Sequence, residues 1–330
     1  MDPAWYWLWV CCFSAQFVKV LKGYIRNCEN PIQTTGLFSL SESDGIRYTV
    51  RKPLDCEIKS VRKLGSNDVD RNFFHVVIDH HGQYQYMPGQ YCGIIPPGIS
   101  ERTNRPFAPR SYSIAPVLDE DDVDPSRCFS LSVRAPIVTG ANQEEYKNIY
   151  VCSQFLTNST PGTQVRLTGP FGRFLLTPAD LRGERNLILI ATGTGIVPCM
   201  GFLRALSDTP MEYGKKLGRI LLIFGIQSPL TYLYRENLEL YESKFQGRLR
   251  VIPCYSRDGP EPERCYVQQM ILRQQALLNE VCTFDGRDCG IYICGHRSMD
   301  NQVVKSLYEV FLSNPNRDQL LSQIKIEVYD

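Results

Sequence analysis

Ile190-Ala191-Thr192-Gly193-Thr194-Gly195-Ile196-Val197-Pro198 decides how the second half of this chain is read. The apolar run Leu187-Ile188-Leu189 precedes it, and a helical pattern from Met200 to Leu206 follows. A buried strand, a tight glycine turn and a helix start are how a chain cradles a phosphate. Glycines let backbone N–H groups approach the oxyanion, and the helix dipole favours its charge. Such turns are common, so this one gains weight from its surroundings. Upstream, Arg110-Ser111-Tyr112-Ser113 begins a strand in a half of the chain rich in short strands.

From Arg185 onward, strand and helix patterns alternate. Strands are expected at Leu187–Ala191, Arg219–Gly225, Leu249–Tyr255 and Gly290–Cys294, with helices after the glycine turn and from near Tyr232, Val267 and Asp300. That alternation predicts a parallel, doubly wound α/β sheet. Between Arg51 and Leu176 the signals are short strands: Phe73–Ile78, Gln90–Ile95, Ser111–Ala115, Phe129–Val133 and Gln164–Leu167. Turns at His81-Gly82, Pro88-Gly89, Pro96-Pro97-Gly98, Pro161-Gly162 and Gly169-Pro170 separate them. Many short strands with such punctuation predict an antiparallel barrel or sandwich. The acidic run Asp119 to Asp124 reads as a solvated loop, not a metal site. The expected division is a leader and variable segment over 1–46, a β-barrel over 47–180 and the α/β domain over 181–330.

A length of 330 residues suits two domains. The net charge of +1 gives no overall attraction to nucleic acid or to a membrane surface. The thirteen cysteines show no CxxC, and Cys56, Cys92, Cys152, Cys254 and Cys294 stand singly in apolar runs. That is the pattern of reduced thiols in a core. His75, His80, His81 and His296 form no HExxH pattern, so no metal site is expected. Ala4 to Val18 is almost continuously apolar and holds Trp5, Trp7 and Trp9. It is short for a membrane span and suits the apolar region of a signal peptide, without a basic start. Lys19, Lys22 and Arg26 and then a hydroxyl-rich stretch follow. The whole reads as a two-part leader: secretory entry, then organelle import. The alternative is a disordered start.

Beyond the leader, roughly residues 53 to 329, the chain resembles the plant-type ferredoxin–NADP reductases. The blocks that carry the resemblance occur in order. They are Gly89-Gln90 leading into Ile95-Pro96-Pro97-Gly98, the Arg-x-Tyr-Ser block 110–113, and Ser130-Leu131-Ser132-Val133-Arg134. Val151-Cys152-Ser153-Gln154-Phe155-Leu156, Leu167-Thr168-Gly169-Pro170 and Thr192 to Pro198 follow. Tyr255-Ser256-Arg257, Tyr266-Val267-Gln268, Ile293-Cys294-Gly295 and Glu327-Val328-Tyr329 complete the series.

The resemblance implies an FAD-binding antiparallel barrel followed by a parallel NADP-binding α/β domain. It implies an enzyme that exchanges electrons between NADPH, as hydride, and ferredoxin, one electron at a time. On the FAD side, Arg110 would give a guanidinium fork to a phosphate. Tyr112 would pack on the isoalloxazine, and Ser113 would set a hydroxyl near the reactive ring nitrogen. Val151, Cys152 and Ser153 would present N–H groups and a hydroxyl to the pyrophosphate, with Ser153 also able to serve as an N-cap. Ser132 and Arg134 belong to the same flavin set. Read without the resemblance, Tyr112 and Ser113 are ordinary alternating strand residues.

On the nucleotide side, Thr192, Gly193, Thr194 and Gly195 would meet the phosphates. Ser256, Arg257, Arg264, Tyr266 and Gln268 match positions that hold the 2′-phosphate and adenine. An NAD enzyme would more often show an acidic residue for the ribose hydroxyls; Asp258 is one here, and Arg257 and Arg264 outweigh it. Cys294, with Gly295, would lie beside the nicotinamide and is not read as a nucleophile. Tyr329 would cover the flavin until nicotinamide displaces it, and Glu327 would place a carboxylate near Ser113.

Three positions depart from the family pattern, one of them Arg264, which stands where the family often has Lys. Val138 stands where a tyrosine stacks on the flavin adenine, and Asp330 follows Tyr329 where the family usually ends. The expected partner is an acidic ferredoxin, drawn to Arg51, Lys52, Lys59, Arg62, Lys63, Arg102 and Arg105. The resemblance and leader together imply a plastid, reached through the secretory route; in a non-photosynthetic plastid NADPH would reduce ferredoxin. Other readings are a flavoprotein reductase of the same plan with flavodoxin or a haem protein as acceptor, and a binding protein without catalysis.

Overall fold

Alternating apolar residues in the first half close a six-stranded antiparallel barrel. In the computed structural model, residues 47–65, 72–101, 103–135, 150–209, 217–260 and 264–329 are described. The expected leader, Arg102, Val138 and Asp330 lie outside them. The strands are β1 (Leu54–Leu64), β2 (Asn72–Asp79), β3 (Tyr91–Ile95), a small hairpin of β4 (Ile99–Ser100) and β5 (Arg105–Pro106), β6 (Arg110–Ala115), β7 (Cys128–Ala135) and β8 (Gln164–Phe171). The barrel order is β1-β2-β7-β6-β3-β8. Val76 and Ile78 on β2 and Phe129, Leu131 and Val133 on β7 fill its interior with Ile58, Ile94 and Leu167. Successive strand side chains point to opposite faces. His75, Ser132 and Arg134 therefore face outward, His75 opposite Ser132 in the β2–β7 register.

Helix α1 (Val151–Asn158) packs on β7, and α2 (Pro178–Leu181) follows the barrel. Next come β9 (Asn186–Thr192), α3 (Ile196–Asp208), β10 (Ile220–Ile226), α4 (Arg235–Lys244), β11 (Leu249–Tyr255), α5 (Val267–Arg273) and α6 (Gln275–Thr283). The chain closes with β12 (Cys289–His296), α7 (Asp300–Val310), α8 (Arg317–Ser322) and β13 (Ile324–Tyr329). The sheet order is β11-β10-β9-β12-β13, all parallel. Strand β9 reads as a continuous apolar run because both of its faces are covered. Leu187, Leu189 and Ala191 enter one core and Ile188 and Ile190 the other. The first of these cores also contains Leu64, Phe73, Ala115 and Leu118 of the barrel half. The barrel and the parallel sheet thus share apolar packing, and all described residues belong to one compact unit.

The acidic run differs from the expected solvated loop. Asp119–Asp121 form a 3-10 turn, and the Asp121 side chain is only 3% exposed. Its Oδ2 lies 2.8 Å from His75 Nε2 and accepts the Leu118 N–H at 2.7 Å. The other ring nitrogen of His75 lies 3.2 Å from the hydroxyl of Tyr234, on the α/β side. A buried carboxylate persists only with such partners. Asp121 therefore anchors the seam between the two halves. Tyr234 has a left-handed backbone (φ 55°), and α4 begins after it at Arg235 rather than near Tyr232.

Candidate functional site

The strand order reverses at β9, which has β10 on one side and β12 on the other. Ligands of open α/β sheets bind beyond the strand ends at such a point. The sequence puts its glycines there for steric reasons. A Cβ on Gly195 would lie 2.3 Å from the Cys294 carbonyl oxygen, and one on Gly295 would lie 2.1 Å from Thr192 Oγ1. Gly193 has φ +53°. The N-cap of α3 is Gly195, which has no side chain of its own to cap the first turn, so an anion can approach the helix start.

The last strand reaches into this turn. The Tyr329 hydroxyl donates to the Thr192 carbonyl at 2.9 Å and accepts the Gly195 N–H at 2.9 Å. The ring packs against the apolar core shared by the two halves. Thr194 and Cys294 are close to the phenol, and Arg134 of the barrel is near enough for its charge to act there. Burial pushes the phenol up to about 12, so it stays protonated at neutral pH.

Register on the β12–β13 pair sets Glu327 beside Cys294 and Tyr329 beside His296. Cys294 is fully buried, and burial pushes its thiol well above the usual range, with Cys199 and Glu327 adding to the shift. A thiol held protonated is a poor nucleophile. Burial raises the Glu327 carboxyl to about 7. Ser113 lies on β6 opposite Tyr91 of β3, and helix α3 packs on β6. Among the described residues no hydrogen bond joins Ser113 to Glu327. The two approach the site from different halves.

Arg110, Tyr112, Cys152 and Ser153 form a second group. Tyr112 packs against the barrel core, and its hydroxyl contacts the Cys152 thiol. That contact brings the end of β6 to the start of α1. Desolvation raises the Tyr112 phenol, with Arg110 opposing the shift. The N-cap of α1 is Tyr150 and not Ser153, and no side chain caps it. Ser153 lies inside the first turn and donates to the Tyr150 carbonyl at 3.0 Å. The open helix start and the nearby guanidinium fit an anionic group such as the FAD pyrophosphate. Ser132 is buried on the outer face of β7, close to Tyr234 at the seam.

The third group lies past β11. Ser256 holds the loop base through its N–H and hydroxyl, both to the Ile226 carbonyl at 2.9 Å and 3.3 Å. Arg257 is exposed, and Tyr266 is 59% exposed. Arg264 donates through Nε to the Gly259 carbonyl at 2.6 Å, which fixes its guanidinium on the loop. Gln268 donates to Gln302 of α7 at 2.6 Å. Two arginines and an exposed aromatic residue on the segment that follows β11 are the residue types that suit a phosphorylated adenosine.

Sequence reasoning missed several neighbours of the site. Met299 Sδ accepts from Thr192 Oγ1 at 2.8 Å, and Phe174 and Phe202 pack with ring centroids 5.4 Å apart beneath Tyr292. No local motif marks them. Two cations of the expected docking patch are already paired: Lys59 with Glu57 at 3.1 Å, and Arg62 with Glu120 at 3.4 Å. For Arg51, Lys52 and Arg105, all exposed, no ion pair occurs among the described residues.

The profile of the oxidoreductase NAD-binding domain matches residues 189–305, the turn and the strands around it. The chain is 31% identical over 334 residues to the chloroplastic root isozyme of ferredoxin–NADP reductase from Oryza sativa subsp. japonica, spanning 97% of this chain and 85% of that protein. It is 31% identical over 296 residues to the chloroplastic root isozyme 1 from Arabidopsis thaliana, with 86% and 76% covered. Among solved structures, the ferredoxin–NADP+ reductase of Plasmodium falciparum with 2'P-AMP superposes with a TM-score of 0.66 at 26% identity, covering 86% of this chain and 98% of that one. With identity of this extent over nearly its whole length, the chain belongs to the ferredoxin–NADP reductase family.

Proposed function

We propose that this chain is an FAD enzyme that exchanges electrons between NADPH and ferredoxin, running from NADPH to ferredoxin. The observation that carries the reading is the cluster at the β9–β12 switch point: an open helix start, Cys294, Glu327 and the hydroxyl of Tyr329 seated in the phosphate turn. When bound, FAD supplies the exchange between a two-electron donor and a one-electron acceptor. The chain's own residues bind, orient and exclude water. Arg110 and the first turn of α1 take the FAD pyrophosphate, with Tyr112 and Ser113 on the ring and Ser132 and Arg134 on its flank. Thr192, Gly193, Thr194 and Gly195 take the nucleotide pyrophosphate. Ser256, Arg257, Arg264, Tyr266 and Gln268 take the 2′-phosphate and adenine. Cys294 and Gly295 line the nicotinamide position. Glu327, raised to about 7, can hold a proton there at neutral pH.

Exposed Arg51, Lys52 and Arg105, with half-exposed Lys63, are the cations left among the described residues to meet an acidic ferredoxin. The chloroplastic relatives support a plastid location, and the apolar and basic start supports delivery through a two-part leader. No helix of the described residues is long and apolar enough to cross a membrane. The test is a purified system with FAD, NADPH and a plant-type ferredoxin, read by reduction of a haem reporter. Reduction that needs ferredoxin supports the reading. A protein that takes up no FAD, or reduces the reporter equally without ferredoxin, overturns it.

A further inference from the structure

Strand β13 is an edge strand with β12 as its one neighbour in the sheet. It also carries Glu327 and Tyr329. Residues two apart on a strand share a face, so Lys325 lies on the same side as both. Its register partner is Tyr292. The Lys325 ammonium donates to the Leu175 carbonyl at 2.6 Å and lies 3.5 Å from the Tyr292 hydroxyl and 5.2 Å from its ring centroid. Among the described residues Lys325 has no ion pair with a carboxylate. A half-buried ammonium held by a carbonyl, with the Asp180 carboxylate near enough for its charge to act there, still costs desolvation that an apolar side chain would not. Its presence calls for a positional role.

Leu175 belongs to the segment that joins the barrel to the parallel sheet, and that segment is clamped. The ring of its neighbour Phe174 packs on Phe202 and Tyr292 at 5.4 and 5.6 Å. The barrel turn at Gly89 touches it so closely that a Cβ there would lie 1.9 Å from the Phe174 carbonyl oxygen. The Tyr292 hydroxyl donates to Asp180 Oδ2 at 2.5 Å. Arg185 donates to Asp180 Oδ1 at 3.1 Å and to Gln323, just before β13, at 2.8 Å. The first half of β13 is thus tied to the floor between barrel and sheet. Beyond Lys325 the strand is held by its pairing with β12 and, at its end, by the two hydrogen bonds of the Tyr329 hydroxyl.

We infer that Lys325 is a positioning residue for the C-terminal gate: its bond to the connecting segment fixes β13 so that Tyr329 returns to the β9–α3 turn. This rests on the reading of Tyr329 as an occupant of the nucleotide site. Without the tether, Tyr329 would leave the turn more often, and an internal competitor that is absent more often raises apparent nucleotide affinity.

The experiment compares Lys325→Met, Lys325→Arg, Tyr329→Ser and the Lys325→Met/Tyr329→Ser pair as FAD-loaded proteins. Amide hydrogen exchange over Ile326–Tyr329 reads the strand, and flavin difference absorbance reads NADP+ binding. In Lys325→Met, exchange should quicken about tenfold, and NADP+ should bind roughly three- to tenfold tighter. Lys325→Arg, which keeps a cationic donor, should restore both. In the Tyr329→Ser background, Lys325→Met should add nothing to NADP+ affinity, because the competitor is already gone. Unchanged exchange overturns the inference, and so does an equal affinity shift in both backgrounds. If Lys325→Met is not recovered folded, Lys325→Gln is read in its place by the same criteria. The exchange measurement needs no ferredoxin, so failure of the electron-transfer assay and failure of the tether are separate results.

Discussion

Replacing Tyr329 with Phe isolates one atom of the proposed C-terminal gate. The ring stays, with its packing on the shared core. The hydroxyl goes, and with it the bonds to the Thr192 carbonyl and the Gly195 N–H, each 2.9 Å. A hydrogen bond of this kind contributes about 0.5–1.5 kcal/mol net, so the pair contributes about 1–3 kcal/mol to the closed state. That is roughly 5- to 150-fold in the closed-to-open ratio. If the closed state dominates, apparent NADP+ affinity rises by the same factor, because the open fraction sets the apparent dissociation constant. The Gly195 N–H is also released to the incoming phosphate. Titration followed by flavin difference absorbance measures the constant, and the ratio of NADH to NADPH kcat/KM measures selectivity. Tighter NADP+ and a raised ratio are expected for Tyr329→Phe, with a larger change for Tyr329→Ser, which also removes the ring. A Phe variant that matches the parent while the Ser variant tightens would refute the role of the hydroxyl and leave the gate to the ring.

Arg257→Ala should weaken NADPH binding by about ten- to a hundredfold, as expected for loss of one charge-assisted contact, and leave NADH almost unchanged; equal losses for both nucleotides in binding titrations would remove Arg257 from the 2′-phosphate. Ser113→Val should keep FAD and slow flavin reduction by NADPH by up to about 2–4 kcal/mol of barrier, read by stopped-flow absorbance; an unchanged rate at full FAD content removes Ser113 from the chemistry. Glu327→Gln should change how stability depends on pH. The folded carboxyl is raised from 4.5 to about 7, so the folded protein binds more protons between those values and the parent loses stability as pH rises through that window. The Gln variant carries no such proton, so its melting temperature should gain on the parent's from pH 5 to pH 8; parallel melting curves for the two proteins would place Glu327 in water.

Local chemistry made much of this molecule legible. The run Leu187 to Ala191 and the glycines after it required a buried strand and a close turn, and β9 and α3 lie there. Period-two alternation in the first half required sheet faces, and turn residues spaced the barrel strands. Strand β11, Leu249–Tyr255, matches its expected bounds. Boundaries moved where a contact from afar overrode the local signal, as at Tyr234, which turns left-handed to meet His75. The acidic run read as solvated because nothing near Asp121 in the chain announces a partner. His75 is 46 residues from it and 159 from Tyr234. The C-terminus was legible as a residue type but not as a position. Only the folded sheet, with β13 added beside β12, carries the Tyr329 hydroxyl to a turn 134 residues away and hangs Lys325 on the carbonyl of Leu175, 150 residues away. Sequence periodicity states which face a residue takes on its own element. Which distant group meets that face is decided when the elements pack, because a buried polar atom must find a partner wherever the tertiary structure brings one.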